Sequence, residues 1–291
     1  MANTIGTQNT ISFVYRNTYF KNTLEVALRN ALVSEKIARV DRSALKTIQN
    51  PYLTQQTAAI QAVAGTYSVS AMTTTEDSLT VADEVIFGTH VFDFESITTN
   101  FDLMQSFYDD LVYSVSFKVD QFVLNVLCED ATGTYTTPVG GFTTPSNIAK
   151  IMGDLLGKVA GYQSGTADGL FLVIENTDVT GFAQTQVASG FSYADSALNN
   201  GFMTSYMGVD IYVVRTGTFV SSTLGTRSDL TNSGHRVFGV KGVATYATPR
   251  GLRYEEKGVS GKTGKEIVVS MLVGAKVWTP KSDLLIDITL A

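Results

Sequence analysis

Between Thr99 and Asp130 the sequence holds one unbroken apolar stripe at helical spacing, and no other stretch limits the fold as much. Phe101, Met104, Tyr108, Leu111, Val115, Val119, Phe122 and Val126 step by three, four, three, four, four, three and four positions. That is the 3.6-residue period of a single buried face. Thr99, with Asp102 three positions on, forms a capping box at the start, and Gly133 supplies a stop soon after the end. At about 1.5 Å per residue such a helix is longer than about 40 Å, more than a compact enzyme core needs. A bar of this length serves as a strut.

The rest of the composition says what surrounds that strut. The 291 residues are 44% apolar, enough for a real core. Only 16% are charged, against about 25% in an average domain, so the surface is largely Thr, Ser, Asn and Gln. A neutral polar surface suits contact with copies of itself. The net charge of −6 is unevenly spread: residues 1 to 50 carry +4, residues 51 to 235 carry −14 and residues 236 to 291 carry +4. Basic ends flank an acidic middle, either as scattered solvated charge or as ends that meet acidic surfaces of other subunits or, for the first segment, nucleic acid. The lone cysteine, Cys128, excludes an intramolecular disulfide framework and reads as a half-buried helix residue in a chain that folds in a reducing cytosol. No basic segment followed by an apolar run marks a secretory signal. The most apolar windows, Leu170 to Ile174 and Ile267 to Val273, fall short of the roughly 18 residues a membrane span takes.

Along the chain, residues 1 to 22 read as an extended arm, followed by a short helix capped by Asn22 and Glu25 with Leu24, Leu28 and Leu32 on one side. From Asp41 to Ser96 the pattern is extended, with Asn50-Pro51 as a turn signal. Here the sequence predicts a projecting hairpin whose tip lies between Pro51 and Asp77, a long insert of the kind that is usually functional. After the strut helix, Pro145 opens a second helix that Gly161 ends, its apolar side formed by Ile148, Ile151, Met152, Leu155, Leu156 and Val159. Leu170 to Glu175 and Val209 to Val214 are continuous apolar runs, the mark of strands buried on both faces. From Arg236 onward the candidates are all strands: Val237 to Tyr246, Gly251 to Glu256, Glu266 to Trp278 and Leu285 to Leu290, with Gly258 to Lys265 as a polar loop.

Catalytic and metal chemistry finds no candidate constellation. His90 and His235 lie 145 positions apart without a cysteine or acidic cluster at ligand spacing. Gly261-Lys262-Thr263 resembles the end of a phosphate-binding loop, but Glu256 stands where that motif needs glycine, and a strand follows where it needs a helix. Asp102, Asp109 and Asp120 fall within about 20° of one another on the helix wheel, too far apart along the axis to share a metal. They form either a solvated flank or an acidic ledge for a neighbour's Arg or Lys. Asp210 and Asp178, at strand ends where α/β folds place ligands, are the remaining enzymatic candidates, without a partner identifiable from sequence.

The order of parts carries more than any motif: basic arm, short helix, long hairpin, strut helix, small α/β lobe, strand-rich return. This order resembles the major capsid proteins of tailed bacteriophages, the Hong Kong 97-type fold, over essentially the whole chain. The resemblance rests on Thr99 to Asp130 as spine helix, on Asn50 to Val91 as extended loop, and on Pro145 to Gly161, Leu170 to Glu175 and Gly208 to Val214 as axial lobe. It also rests on the closing Gly274 to Pro280 and Ile286 to Leu290. It implies an α+β subunit: residues 1 to 45 as N-terminal arm and short helix, 46 to 92 as extended loop, 93 to 142 as peripheral lobe with spine helix, 143 to 248 as axial lobe, 249 to 281 as peripheral strands and loop, and 282 to 291 as C-terminal strand.

The function that the resemblance implies is structural and non-enzymatic, without cofactor: self-assembly into pentamers and hexamers that close an icosahedral head around double-stranded DNA. Assembly would take place in the host bacterial cytoplasm, with a portal and, since the chain has no room for a long scaffolding segment, a separate scaffolding protein. Decoration proteins are a further possible partner and a membrane is not. The peripheral tip, with Glu255, Glu256, Lys257, Lys262 and Lys265, would pair between copies around three-fold positions. Arg16, Lys21, Arg29, Lys36, Arg39 and Arg42 would face packaged DNA from the inner surface. Some members crosslink through a lysine on the extended loop, but no lysine occurs between Lys46 and Lys118, so that covalent device is absent. Encapsulin shells share the fold and are the alternative reading.

Overall fold

The strut is a single helix of 28 residues, Leu103–Asp130. The computed structural model describes residues 13–43, 45–53, 74–91, 103–159, 169–188, 202–258 and 264–291, so the expected capping box at Thr99 and Asp102 lies outside the described residues. Leu111, Val115, Val119, Phe122 and Val126 are buried, as the stripe requires. Toward its end burial goes all round: every residue from Val119 to Cys128 is buried. Asp109–Asp130 is in fact long and apolar enough to cross a membrane by composition, which the shorter windows above missed. Here the apolarity serves a core helix packed on two sides.

Thirteen strands lie among the described residues. They are β1 (Arg39–Asp41), β2 (Thr47–Leu53), β3 (Thr74–Thr80), β4 (Asp83–Val91), β5 (Gly133–Thr136), β6 (Leu170–Glu175) and β7 (Phe202–Tyr206). Then follow β8 (Val209–Val214), β9 (His235–Val240), β10 (Ala244–Ala247), β11 (Arg253–Gly258), β12 (Lys265–Val277) and β13 (Leu285–Thr289). The 13-residue β12 is the axis of a five-stranded sheet, with β4, β10 and β11 antiparallel to it and β1 parallel to β10. Val269, Met271, Val273, Ala275 and Val277 of β12, with Tyr246 and the flanking Val85 and Phe87, pack toward the long helix. The N-terminal helix, Phe13–Ala31, adds Leu24 and Leu28 to the same core.

The second sheet has six strands in the order β5, β13, β9, β6, β8, β7. β6 shows why its run is wholly apolar: Phe171 and Val173 join the core under the long helix, whereas Leu170, Leu172 and Ile174 join a second core on the other face. Alternate residues of one strand thus serve two cores. The second core is closed by the helices Pro145–Val159 and Val179–Ala188, through Ile148, Ile151, Met152, Leu155 and Phe182. The close approach of Val179–Ala188 to the turn Gly141–Thr143 needs Gly181, where a Cβ would stand 2.0 Å from the Phe142 carbonyl oxygen.

Several expectations change. The segment before residue 22 is helical from Phe13, not extended, and forms one 19-residue helix. Asn50-Pro51 is not a turn: both residues pair within β2, in a two-stranded ribbon where half the amides point outward and proline is tolerated. Val237 to Tyr246 is two strands, split at Gly242 with φ +76°, where the chain leaves the six-stranded sheet for the five-stranded one. The sheets also exchange strands across the expected lobe boundaries. β5 pairs with β13 in the six-stranded sheet, and β10 with β12 in the five-stranded one.

Candidate assembly surfaces

The projecting hairpin is built as expected, with β2 and β3 in antiparallel register from Thr47 opposite Thr80 to Leu53 opposite Thr74. Residues 54–73, where its tip was expected, lie outside the described residues. Exposed and half-buried residues alternate along β2, so the ribbon has no second layer and depends on its base. There Ile48 and Leu79 meet Val81, Ala247, Leu272 and Trp278 in a small separate core. Beside it Asp77 accepts hydrogen bonds from the Thr279 N–H (3.1 Å), the Thr279 hydroxyl (3.0 Å) and the Lys276 ammonium. Burial alone would push this carboxyl up, but those three donors outweigh it and hold the acid below its ordinary value. Asp83, at the start of β4, accepts from the Thr226 N–H (2.6 Å) and hydroxyl (2.7 Å), and Arg227 reaches Asp130 at 3.4 Å. Asp83, Asp130, Thr226, Arg227, Lys276 and Thr279 line a polar cleft of about 530 Å³ between the hairpin base and the C-terminal end of the long helix.

The structure brings together only part of the expected peripheral tip. Arg253, Glu255 and Lys257 alternate on one face of β11, and Glu255 is ion-paired within its own strand, to Arg253 and to Lys257 at 3.2 Å. Lys262 lies outside the described residues, while Glu256 and Lys265 are placed by their backbone only, opposite Ile267 and Gly258. The basic residues are spread over three elements. Arg16 and Lys21 belong to the N-terminal helix, Lys36 to the short helix Ser34–Ile37, and Arg39 to β1. Arg29 pairs with Glu25, and Arg42 holds Glu35 through two bonds of 2.9 and 3.0 Å. Arg29 and Arg42 are therefore already matched by acids of the same chain.

Sequence reasoning missed the buried polar groups. Arg236 joins Asp178 at 2.6 Å and Glu175 at 3.2 Å, while Glu175 accepts the Gly217 N–H at 3.0 Å. Asn125 on the long helix donates to the Thr218 carbonyl (2.8 Å) and accepts the Val220 N–H (3.1 Å). Asn125 pins the loop after β8 onto the long helix and Glu175 holds it to β6, pairings between positions far apart in sequence that no local spacing signals. Asp120 corrects the reading of a solvated or neighbour-pairing flank: Asp109 is exposed and Asp102 lies outside the described residues, but Asp120 is buried. Cys128 is fully rather than half buried, and burial pushes its thiol well up.

The enzymatic candidates are engaged structurally. Asp178 is held by Arg236, and Asp210 pairs with Lys241, whose ammonium burial would push down but Asp210 and Tyr212 hold up. His235 meets both Asp287 oxygens at 2.9 Å. No group of three or more metal-ligating side chains occurs among the described residues.

Two sheets packed on a long helix, a two-stranded ribbon beside one of them and an N-terminal helix against the strut make up the Hong Kong 97-type fold. Solved structures show it over nearly the whole chain. The capsid of cyanophage P-SCSP1u matches with a TM-score of 0.66 at 14% identity, covering 90% of this chain and 88% of that one. The mature capsid of bacteriophage PhiM1 matches at 0.62 and 9% identity, covering 91% and 86%. A virus-like particle from Pyrococcus furiosus matches at 0.58 and 10% identity, covering 94% and 99%. No protein-family model and no curated protein matches the sequence.

Proposed function

We propose that this chain is the major capsid protein of a tailed bacteriophage, which assembles as pentamers and hexamers into an icosahedral head around double-stranded DNA. The observation that carries this reading is the mutual coverage with capsid subunits, 90% of this chain against 88% of that of cyanophage P-SCSP1u. In this reading the five-stranded sheet and hairpin form the peripheral lobe and extended loop, and the six-stranded sheet gathers around the capsomer axis. Glu255, Glu256, Lys257, Lys262 and Lys265 meet symmetry mates, while Arg16, Lys21, Lys36 and Arg39 lower the cost of packing phosphate near the inner surface. Scaffolding, portal and decoration proteins are the expected partners, and the virion is the expected location.

An encapsulin-like compartment is the alternative reading, which the likeness to phage capsids supports less. One preparation separates them. Expressed protein, examined by negative-stain microscopy and light scattering, forms shells or capsomers far larger than one chain; a strict monomer under all assembly conditions refutes both readings. Particles purified from their native source carry DNA in the first reading and a single cargo protein in the second.

A further inference from the structure

The turn that joins β7 to β8 has only two residues, Met207 and Gly208, between the paired Tyr206 and Val209. Both have positive φ, +53° and +79°, the conformation of the tight hairpin turn whose twist matches that of its strands. Asn, Asp and Gly ordinarily fill the first of these places, because a larger side chain there crowds its own backbone. Among the described residues one other non-glycine position has positive φ, Asp229 at +59°, and aspartate is one of the few types that tolerates it. A methionine has no short polar group to bond the nearby backbone, so nothing local offsets the strain at Met207.

The side chain is also left in water, since Met207 is 53% exposed. Single exposed apolar residues are ordinary on a protein surface. An exposed one on a strained backbone is not, because the folded subunit then bears two costs at one position, and such outliers mark functional places. The turn is held firmly from behind. Tyr206 stands edge-on to Phe182 at 6.3 Å between ring centres, and Asp210, opposite Ser205, is ion-paired with Lys241, whose ammonium lies 5.3 Å from the centre of the Tyr212 ring. β7 is the last strand of the six-stranded sheet, so the tip stands at a border of the subunit.

We propose that Met207 is an apolar knob seated against a second copy of this chain, where burial offsets the strain that the lone subunit carries. The inference rests on the shell reading above, in which the six-stranded sheet gathers with its copies around an axis and neighbouring copies are the surface that each subunit meets. A knob presented by a rigid two-residue turn loses little freedom on docking, which favours contact over solvent exposure.

Two measurements on the full chain pull in opposite directions and so test the idea. Met207→Asn supplies a residue that suits the turn and removes the apolar group. In dilute, unassembled protein its urea midpoint equals or exceeds that of the wild type, while light scattering places the threshold concentration for assembly about four- to tenfold higher, the loss expected for leaving half a methionine side chain in water. Met207→Leu keeps an apolar side chain of similar volume and assembles at the wild-type threshold. An Asn variant that assembles at the wild-type threshold overturns the proposal. So does a lower urea midpoint in that variant, which would mean that Met207 packs within its own chain, or an equal loss of assembly in Met207→Leu. A wild-type chain that forms neither shells nor capsomers under any condition is a separate result: it refutes the shell reading, and the knob falls with it.

Discussion

Removing the Asp77 carboxylate should free the hairpin from the body of the molecule without unfolding the body. In Asp77→Ala the Thr279 N–H and hydroxyl lose an acceptor at 3.1 and 3.0 Å, and the Lys276 ammonium is left with the Ser78 carbonyl at 2.7 Å. Hydrogen bonds to a charged group are worth about 1.5–3 kcal/mol each. The Lys276 side chain is 28% exposed, so its ion pair is discounted to at most about 1 kcal/mol, as for a screened surface pair. Allowing for water at the freed donors, the base of the hairpin weakens by about 2–4 kcal/mol. Because 1.4 kcal/mol is a factor of ten, β2 and β3 amides that open locally should exchange about 30 to 1,000 times faster. Amides of β6 and β9, in the other sheet, should keep their rates. The Asp77 acid lies below its ordinary value, so its contribution is complete above the usual carboxylate range near pH 4 and is lost as pH falls through its lowered value. The difference between wild type and variant should therefore be flat from pH 5 to 8 and shrink only in strong acid. Exchange in β2 and β3 equal to wild type, or acceleration spread evenly over both sheets, would refute the assignment of Asp77 as the anchor.

Three further outcomes follow from packing. Leu172→Ala, in the strand buried on both faces, should cost about 2–5 kcal/mol through a cavity that neither sheet nor helices can collapse into, read as a lower urea midpoint at unchanged slope. Gly181→Ala places a methyl 2.0 Å from the Phe142 carbonyl oxygen, and should displace Val179–Ala188 and lower the melting temperature far more than Gly153→Ala, where a Cβ meets nothing within 4 Å. Asp178→Asn leaves Arg236, whose side chain is 3% exposed, without its charged partner at 2.6 Å. The expected cost in chemical denaturation is about 3–5 kcal/mol, whereas a loss below about 1 kcal/mol would mean that Glu175 alone satisfies the guanidinium.

What was readable beforehand was whatever periodicity or turn chemistry controls. The stripe from Leu111 to Val126, the apolar run Leu170 to Ile174 of β6 and the Pro145 helix start each follow from local spacing, and all stand where expected. The order of these parts was enough to resemble one fold. Residues whose roles depend on distant partners were not readable. Asp120 has the wheel position of a solvated aspartate, and only the crossing of Val33 and Ser34 over it makes it a buried acceptor. The Val237 to Tyr246 run looks continuous because both halves are strands; the change of sheet at Gly242 is a tertiary event with one glycine as its local trace. The early helical start at Phe13 was hidden because its Asn and Thr residues are weak helix formers.

The two modes of attachment in this molecule predict where it can deform. The two sheets are coupled through the all-round burial of Val119 to Cys128 between them, so displacing one against the other opens apolar surface. The hairpin hangs on Asp77 beside a small apolar cluster, and the crossover after the N-terminal helix is fastened by Asp120 while Leu24 and Leu28 enter the main core. A subunit that must take several positions in a closed shell needs rigid lobes with adjustable extensions, since pentamers and hexamers place the same surfaces at different angles. The order of exchange protection should accordingly run from β6 and β9 through the C-terminal half of the long helix to β2, β3 and residues 30–40. Equal protection at both extensions and the core would mean that the whole chain moves as one body, and that variation in curvature is taken up at the contacts between subunits.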